Sequence, residues 1–255
     1  MKNSTTSGNR FGKILISIAF WLLLWQILSL SVGQKLLLCS PVEAAIKLVE
    51  LAVLKEFWFA ILLSLGRIVL GFAIAVIAGI ALAALASRFD MVKTLLAPAV
   101  FTIKTAPVAS FIILLLIWLS SSSLSVVISF MMAMPIVYEG ALAGIAEVDN
   151  QLIEMADVFR LPLFRRIRYI YLSQIMPYFK TACETSAGLC FKAGIAAEVI
   201  AMPSGTIGER LYQAKIYLDT PELFAWTIVV ILLSAALTKL VSPLLANLVH
   251  RLERM

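Results

Sequence analysis

The chain has 255 residues, of which 62% are hydrophobic and 14% charged, and its mean hydropathy is +0.99. Soluble domains are typically about 45–50% apolar and about 25% charged, so a soluble globular protein is excluded and an integral membrane protein is indicated. The net charge of +6 would also suit a nucleic-acid-binding protein, so the positions of the charges must decide between the two.

Six stretches of the sequence are apolar over the length of about 20 residues that a helix needs to cross a bilayer. They lie near residues 14–32, 66–87, 95–118, 122–143, 180–202 and 223–247. A polar tail, residues 1–13, precedes the first stretch and resembles a signal peptide, but no small-residue cleavage site follows, so we expect a retained anchor. The sequence predicts an all-α, polytopic membrane protein whose single domain spans residues 1–255.

The basic residues predict the orientation of these spans. With a cytoplasmic N-terminus, twelve Lys and Arg residues fall in cytoplasmic segments and five in outer segments. This distribution satisfies the positive-inside rule, so both termini and the tail at residues 1–13 are predicted to be cytoplasmic. The basic charge is then a signal of topology, and no nucleic-acid partner is expected.

The outer loop after the first span predicts an amphipathic helix over residues 40–56. Apolar residues such as Ile46 and Val49 follow helical spacing, Ser40 suits the N-cap, and Pro41 suits the first turn. We expect this helix to lie at the outer membrane interface.

A stripe of small residues lies on the second span at four-residue intervals. It consists of Gly71, Ala75, Gly79 and Ala83. Such a stripe lets another helix backbone approach closely. It predicts a helix contact, either with a second subunit or, more commonly, with another helix of the same chain.

Prolines interrupt the third and fourth spans at Pro98, Pro107 and Pro135. A proline frees backbone groups that lipid cannot satisfy, so protein or water must cover them. Breaks of this kind are compatible with a transport pathway, and simple kinks would explain them equally well.

The longest cytoplasmic segment, residues 147–178, predicts two short helices. Its first half places apolar residues on one helical face and acidic residues opposite. The apolar face consists of Leu152, Met155, Ala156 and Phe159. Asp149 suits the N-cap, and Pro162 favours a break between the helices at residues 160–162.

Several motifs of this loop and of the spans form a recognisable set. In the loop they are Glu154-Met155-Ala156, the turn at residue 160, and a hydrophobic and basic stretch that ends in Ile175-Met176-Pro177. Elsewhere they are Ser64 to Arg67 with Gly71, Thr105 to Ser110, Pro135 with Gly144, Ala197-Glu198, and Ser204 to Gly208. As a set they resemble the permease subunits of binding-protein-dependent ABC importers, and most of all the nitrate, sulfonate and taurine branch, from about residue 60 onward.

The resemblance implies a type I ABC importer permease in the plasma (inner) membrane of a prokaryote. Two permease subunits, most simply a homodimer, would bind two ATPase subunits through the EAA-type coupling loop at residues 147–178. An extracellular solute-binding protein would deliver a small anion. ATP and Mg²⁺ would bind the ATPase, so this chain is expected to bind no cofactor or metal of its own.

We expect the first helix of the loop to contact the ATPase through an apolar ridge with acidic groups at its rim. The predicted contact residues are Glu154, Met155, Ala156, Asp157, Phe159, Arg160 and Leu161. The alternative is an amphipathic hairpin on the inner leaflet, with lipid phosphates on Arg165, Arg166 and Arg168.

Two loop positions depart from the pattern of the family. The family usually has glycine where Arg160 stands and proline where Ser173 stands. Glycine there would permit a positive φ. Arg160 is therefore expected to make the turn by another route, assisted by Pro162.

Ionisable side chains inside spans mark functional sites by default. The residues predicted along a translocation pathway are Lys104, Glu139, Lys192, Glu198 and Met202. The two lysines would attract an anion. Alternatively, Lys104 with Glu139, and Lys192 with Glu198 of the partner subunit, form structural ion pairs.

No catalytic motif is present in the sequence. There is no phosphate-binding P-loop, metalloprotease helix or nucleophile elbow, and Cys39, Cys183 and Cys190 match no metal or disulfide spacing. A transport subunit is therefore expected instead of an enzyme. The rival hypothesis is a gradient-driven secondary transporter that uses Glu139 and Glu198, although the two halves of the chain show no repeat of the kind such folds often have.

Overall fold

The structure, a computed structural model, describes residues 7–34 and 36–254, and the side chains of 12–34, 36–149, 151–162 and 165–245. In these residues the chain forms eleven α-helices and one π-helical turn. The helices are α1 (Ser7–Val32), α2 (Pro41–Ala52), α3 (Lys55–Arg88), α4 (Asp90–Thr105), α5 (Val108–Leu115), α6 (Ser121–Ala146), α7 (Asn150–Val158), α8 (Leu163–Arg166), α9 (Leu172–Ala201), α10 (Ile207–Ile216) and α11 (Thr220–Arg254). The π-helical turn, Ile167–Tyr171, joins α8 to α9. The all-α prediction is confirmed.

The predicted tail at residues 1–13 is partly helical, since α1 begins at Ser7. Residues 1–6 lie outside the described part of the chain, as do the side chains of Arg10, Arg251 and Arg254, which contribute to the predicted orientation. The orientation therefore stays a prediction.

Four helices are long and apolar enough to cross a membrane: Gly12–Val32, α3, α6 and Thr220–Leu245. A fifth span is possible if α4 and α5 count as one, although they are bent by 103°. α9 has 30 residues, but Lys180, Glu184, Lys192 and Glu198 make it more polar than these four. The six predicted stretches thus correspond to four apolar helices, a broken pair and α9.

The third predicted span, residues 95–118, is not one continuous helix. It breaks at Ala106 and Pro107, where the backbone is extended between α4 and α5. Pro98 and Pro135 lie inside continuous helices, so the prediction that they interrupt a span is wrong. Pro135 is fully buried among neighbouring side chains, and such packing lets a helix tolerate one missing hydrogen bond.

The chain divides into two compact units. The first comprises residues up to 58 together with 210–229, and the second comprises residues 59–209 together with those from 230 onward.

In the first unit, α2 is shorter than the predicted helix over residues 40–56, because it ends at Ala52 and α3 begins at Lys55. Ser40 caps it in a capping box: Glu43 N–H donates to Ser40 Oγ at 3.2 Å, and Ser40 N–H donates to a Glu43 carboxylate oxygen at 3.0 Å. Ile46 and Val49 are more than half exposed, as an interfacial helix requires.

Lys47 of α2 forms ion pairs in the same unit, at 3.0 Å to Asp219 and at 3.6 Å to Glu222. The hydrogen bond to Asp219 raises the pKa of Lys47, against the opposing effect of partial burial. For Asp219, burial would raise the pKa, but the hydrogen bonds from Lys47 and from the Glu222 N–H together lower it. This contact ties α2 to the residue before α11.

The second unit has its core where α6 packs along α9, with α3 against α6. The small-residue stripe of α3 makes the latter contact. A Cβ on Gly71 would overlap the Val126 carbonyl, and one on Gly79 would lie 2.9 Å from Val137. Ala75 and Ala83 are fully buried. The stripe is therefore used for packing inside the chain.

Candidate functional site

The predicted coupling loop contains α7, which is capped at its start by two side chains. Asp149 Oδ1 accepts a hydrogen bond from Gln151 N–H at 2.8 Å, which confirms Asp149 as the N-cap. The Gln174 side chain, in the first turn of α9, accepts from Asp149 N–H at 2.9 Å. The start of α7 is thus fixed to the start of α9.

The end of α7 is a left-handed turn at Arg160, whose φ is +47°. Leu161 N–H donates to the Ala156 carbonyl at 2.9 Å, and Arg160 N–H donates to the Asp157 carbonyl at 3.0 Å. These two bonds form a Schellman motif. The expectation that Arg160 avoids a positive φ is wrong, because this residue adopts the conformation for which glycine is preferred.

Arg166 of α8 holds this turn in place. Its Nε donates to the Leu161 carbonyl at 3.0 Å, its Nη2 donates to the Ala156 carbonyl at 3.3 Å, and its Nη1 lies 2.5 Å from the Asp157 carboxylate. A basic side chain at the carbonyl end of a helix donates to its last carbonyls and complements the helix dipole. Arg166 is therefore occupied within the loop and is not a free lipid ligand.

The inner face of α7 packs on the loop's own core. This core contains the buried residues Val148, Ala156 and Ile170, with Leu161 partly buried against them. Ala156 has no exposed surface, so its side chain is not available to a partner. Of the predicted contact residues, Ala156 and Leu161 thus support the loop from inside.

The outer face of α7 carries a ridge of exposed apolar side chains. Met155, Val158 and Phe159 are 44%, 79% and 71% exposed. Glu154 and Arg160 are also exposed. We call these five residues the coupling surface. Val158 was missed in the sequence, because the spacing places it outside the predicted apolar face and only the packing of Ala156 shows which way the helix is rotated.

Two predicted pathway residues meet at the break between α4 and α5. Lys104 Nζ lies 2.6 Å from Glu139 Oε2 and 2.9 Å from Glu139 Oε1. Both side chains are nearly half exposed, at 45% and 46%. The pair neutralises two charges beside the apolar helix α6, yet it remains on the surface of the unit.

The exposed face of α9 is polar along part of its length. Tyr178, Thr181 and Thr185 line a groove of about 520 Å³ together with Glu139 of α6. Lys192, two turns further along α9, is exposed as well. Polar side chains at membrane depth belong against water or protein, so lipid does not suit this face.

Glu198 is fully buried and serves as a cap for α10. Its Oε2 accepts from Ser64 Oγ at 2.6 Å and from Gly208 N–H at 3.4 Å, and Ser64 Oγ accepts from Ile207 N–H at 3.0 Å. A Cβ on Gly208 would overlap Glu198. Three motif residues that are distant in sequence therefore meet at one helix N-terminus, where a carboxylate is favourable.

Met202 ends α9 in a left-handed conformation with a φ of +48°, and it is 44% exposed. The predicted pathway residues are thus not assembled in one place. Lys104 and Glu139 form a pair, Lys192 and Met202 are separately exposed, and Glu198 is inside the packing. Among the described residues, no cluster of three or more metal-ligating side chains occurs.

The profile of the family described as "Binding-protein-dependent transport system inner membrane component" matches residues 71–254. A Bacillus subtilis (strain 168) permease named for aliphatic sulfonate transport, SsuC, is 25% identical over 224 residues, which cover 86% of this chain and 81% of the relative.

Two further relatives are similar over most of their length. The taurine transport system permease protein TauC of Escherichia coli (strain K12) is 24% identical over 88% of this chain and 82% of its own. The nitrate import permease protein NrtB of Synechococcus elongatus is 24% identical over 78% of this chain and 75% of its own. The chain belongs to the family of binding-protein-dependent transport system inner membrane components.

Proposed function

We propose that this chain forms, with a second copy of itself, the translocation pathway of an ATP-driven importer for a small anion. An extracellular binding protein delivers the anion, and two ATPase subunits dock on the coupling surface. ATP and Mg²⁺ bind those subunits.

The observation that carries the proposal is the exposed apolar ridge of Met155, Val158 and Phe159 on α7. Single exposed apolar residues are ordinary, but three adjacent ones on a helix outside the spans favour insertion into a groove of a partner. Glu154 and Arg160 lie at the ends of the ridge and supply opposite charges that set the register of docking.

The contacts of the loop support the transmission of an ATPase movement from α7 to α9. α7 is fixed at its start by Gln174 and at its end by Arg166, and its buried face packs on Ile170 of the π-helical turn. Residues 163–201 are continuous helix, so a displacement of α7 is carried directly into α9. The polar face of α9 then moves together with the helix.

That polar face is the proposed wall of the pathway. The groove is lined by Tyr178, Thr181 and Thr185 and lies beside Glu139. In a dimer these faces would be opposed across the pathway, which satisfies their polarity without lipid contact. Lys192, exposed on the same helix, supplies a positive charge for an anionic substrate.

The substrate class rests on this charge and on the relatives, whose names refer to aliphatic sulfonates, taurine and nitrate. Replacement of Lys192 by Gln is expected to raise the KM for the anion, with a smaller effect from Lys192→Arg.

The gradient-driven alternative requires Glu139 and Glu198 as ion-binding groups. Glu139 is instead paired with Lys104, and Glu198 is enclosed between Ser64 and the start of α10. Family membership also favours ATP as the energy source.

Co-purification with the ATPase tests the proposal. We expect the double variant Val158→Asp/Phe159→Asp to insert in the membrane normally and to retain at least tenfold less ATPase. Tyr169→Asp, at an exposed position of the π-helical turn, is the matched control and should retain it. Normal ATPase retention and ATP-driven uptake by the double variant would show that the coupling surface is misassigned.

A further inference from the structure

A cavity of about 600 Å³ lies beneath the coupling loop, in the second unit. It is lined by the last turns of α3 and α6, the π-helical turn, the first turns of α9, and α11, and it is open on one side. It shares no lining residue with the polar groove at Thr181 and Thr185. Its volume falls within the range of about 300–1,000 Å³ that is typical of small-molecule sites.

The lining of the cavity is apolar except at one end. Ile80, Ala84, Ile145 and Ile175 are among its apolar walls, whereas the polar lining residues are Ser87, Arg88 and Tyr171. The Ser87 hydroxyl donates to the Ala84 carbonyl at 2.9 Å, so it is already satisfied. Arg88, the last residue of α3, is exposed and forms no ion pair within the described residues.

The cavity is therefore a slot with one charged end. Arg88 lies at the end of the α3 span, and Ile80 lies eight residues deeper, about 12 Å along the helix at 1.5 Å per residue. Positive charge at the membrane surface above an apolar interior matches the layout of a phospholipid, in which a phosphate stands above acyl chains.

Other occupants fit this slot less well. Apolar cavities do not hold water stably, since water there lacks polar partners. A peptide segment at this depth would bring backbone groups that the apolar walls cannot satisfy. An acyl chain has no such groups.

We propose that the cavity binds one anionic phospholipid of the leaflet next to the loop, with an acyl chain between Ile80 and Ile145 and the phosphate on Arg88. The phosphate forms a charge-assisted, bidentate contact with the guanidinium. The acyl chain fills a space that the side chains leave open.

The position of the cavity gives the lipid a regulatory role, which rests on the proposed function of the loop. Ile167 and Tyr171, the two ends of the π-helical turn, are part of the wall. π-helical turns are rare and occur frequently at functional sites. A lipid in the cavity braces this turn between α8 and α9, so that movement of the loop is transmitted to α9.

Lipid retention by the full-length permease tests the site, without the ATPase. The protein is placed in nanodiscs of phosphatidylcholine with or without phosphatidylglycerol, and retained lipid is counted by native mass spectrometry. We expect one tightly held phosphatidylglycerol in the unmodified protein, and at least tenfold less retention in Arg88→Gln and in Ala84→Phe, which fills the slot.

Two matched controls keep the test specific. Lys93→Gln removes an exposed cation near the end of α3, and Ala81→Phe adds the same bulk at an exposed position of α3 outside the cavity lining. Both should retain lipid like the unmodified protein. Equal retention in the cavity variants and the controls, equal retention of phosphatidylcholine, or loss in Arg88→Gln without loss in Ala84→Phe would overturn the site.

The regulatory role is measured in the assembled transporter. Phosphatidylglycerol should raise ATP-driven uptake severalfold in the unmodified protein and in Lys93→Gln, but not in Arg88→Gln. All three proteins should still co-purify with the ATPase. A missing response to phosphatidylglycerol in Arg88→Gln is then not caused by loss of ATPase docking on the coupling surface. If lipid binds but uptake does not respond to it, the bracing role is wrong.

Discussion

Arg166 and Asp157 lie on opposite sides of the turn that ends α7, and the guanidinium joins the Asp157 carboxylate at 2.5 Å while it also donates to the Ala156 and Leu161 carbonyls. These three contacts from one side chain fix the end of α7. Their consequence is that the coupling surface is held rigidly by a residue that does not belong to it.

Replacement of Arg166 by Gln should loosen α7. Hydrogen bonds to charged groups contribute about 1.5–3 kcal/mol, and exposure of the Asp157 side chain reduces this value, so we expect a loss of about 1–2 kcal/mol in local stability. Hydrogen exchange of the amides in residues 151–161 should accelerate roughly 5- to 30-fold. Arg165→Gln, at an exposed neighbouring position, should leave these amides unchanged, and equal protection in both variants would contradict the role of Arg166.

Replacement of Arg160 by Gly should stabilise the same turn. A non-glycine residue in the left-handed region costs about 1–2 kcal/mol, which glycine avoids. We expect slower exchange of the Leu161 amide in Arg160→Gly and faster exchange in Arg160→Val, whose branched Cβ suits this region least.

ATPase retention by Arg160→Gly separates the two possible roles of the residue. If Arg160 docks the ATPase through its charge, retention falls although the loop is more stable. Unchanged retention would remove Arg160 from the coupling surface.

The sequence predicts local features of the chain well. The Asp149 cap and the break at Pro107 follow from short-range rules about caps and proline, and the structure has both. The rotation of α7 could not be predicted in this way. Leu152, Ala156 and Phe159 share a helical face by spacing, but packing on Ile170 buries Ala156 and leaves Phe159 outside.

Long-range contacts explain what the sequence could not show. Ser64 and Glu198 are 134 residues apart, and no periodicity connects them. Because Glu198 is a charged residue inside a predicted span, the sequence predicts that it lines the translocation pathway. In the structure, its carboxylate instead caps α10. The left-handed Arg160 was missed for another reason: residue preference disfavours it, and the Schellman hydrogen bonds together with Arg166 override that preference.

Replacement of Gly208 by Ala should destabilise the second unit. The added Cβ overlaps Glu198, and forced overpacking typically costs about 1–3 kcal/mol. Gly66→Ala is the matched control, because a Cβ there meets nothing within 4 Å and glycine inside a helix is less stable than alanine by about 0.5–1 kcal/mol. Thermal unfolding in detergent should fall for Gly208→Ala and stay or rise for Gly66→Ala. An unchanged midpoint in Gly208→Ala would show that α10 can shift freely away from Glu198.

Exchange of the charges of Lys104 and Glu139 tests whether they act as a pair. Lys104→Gln or Glu139→Gln alone leaves one charge without its partner at membrane depth, so we expect lower yield of folded protein in the membrane. Lys104→Glu combined with Glu139→Lys should restore the yield. Equal yields in the single variants and the exchanged protein would show that the charges are solvated separately.

The contact between Lys47 and Asp219 should give a defined pH dependence of stability. The pKa of Asp219 is lowered, so its contribution is complete above the ordinary value of 3.8 and is lost as pH falls through the lowered pKa. The pKa of Lys47 is raised, so its contribution is complete below 10.5 and is lost as pH rises through the raised pKa. Because both side chains are about one-third exposed, the pair contributes only about 0.2–1 kcal/mol.

Asp219→Asn should therefore lower the free energy of unfolding by this amount between pH 5 and 9, and the difference from the unmodified protein should shrink toward pH 3. Glu147→Gln, which alters an exposed carboxylate outside this contact, should show no such convergence. A difference that grows toward acid pH would contradict the lowered pKa of Asp219.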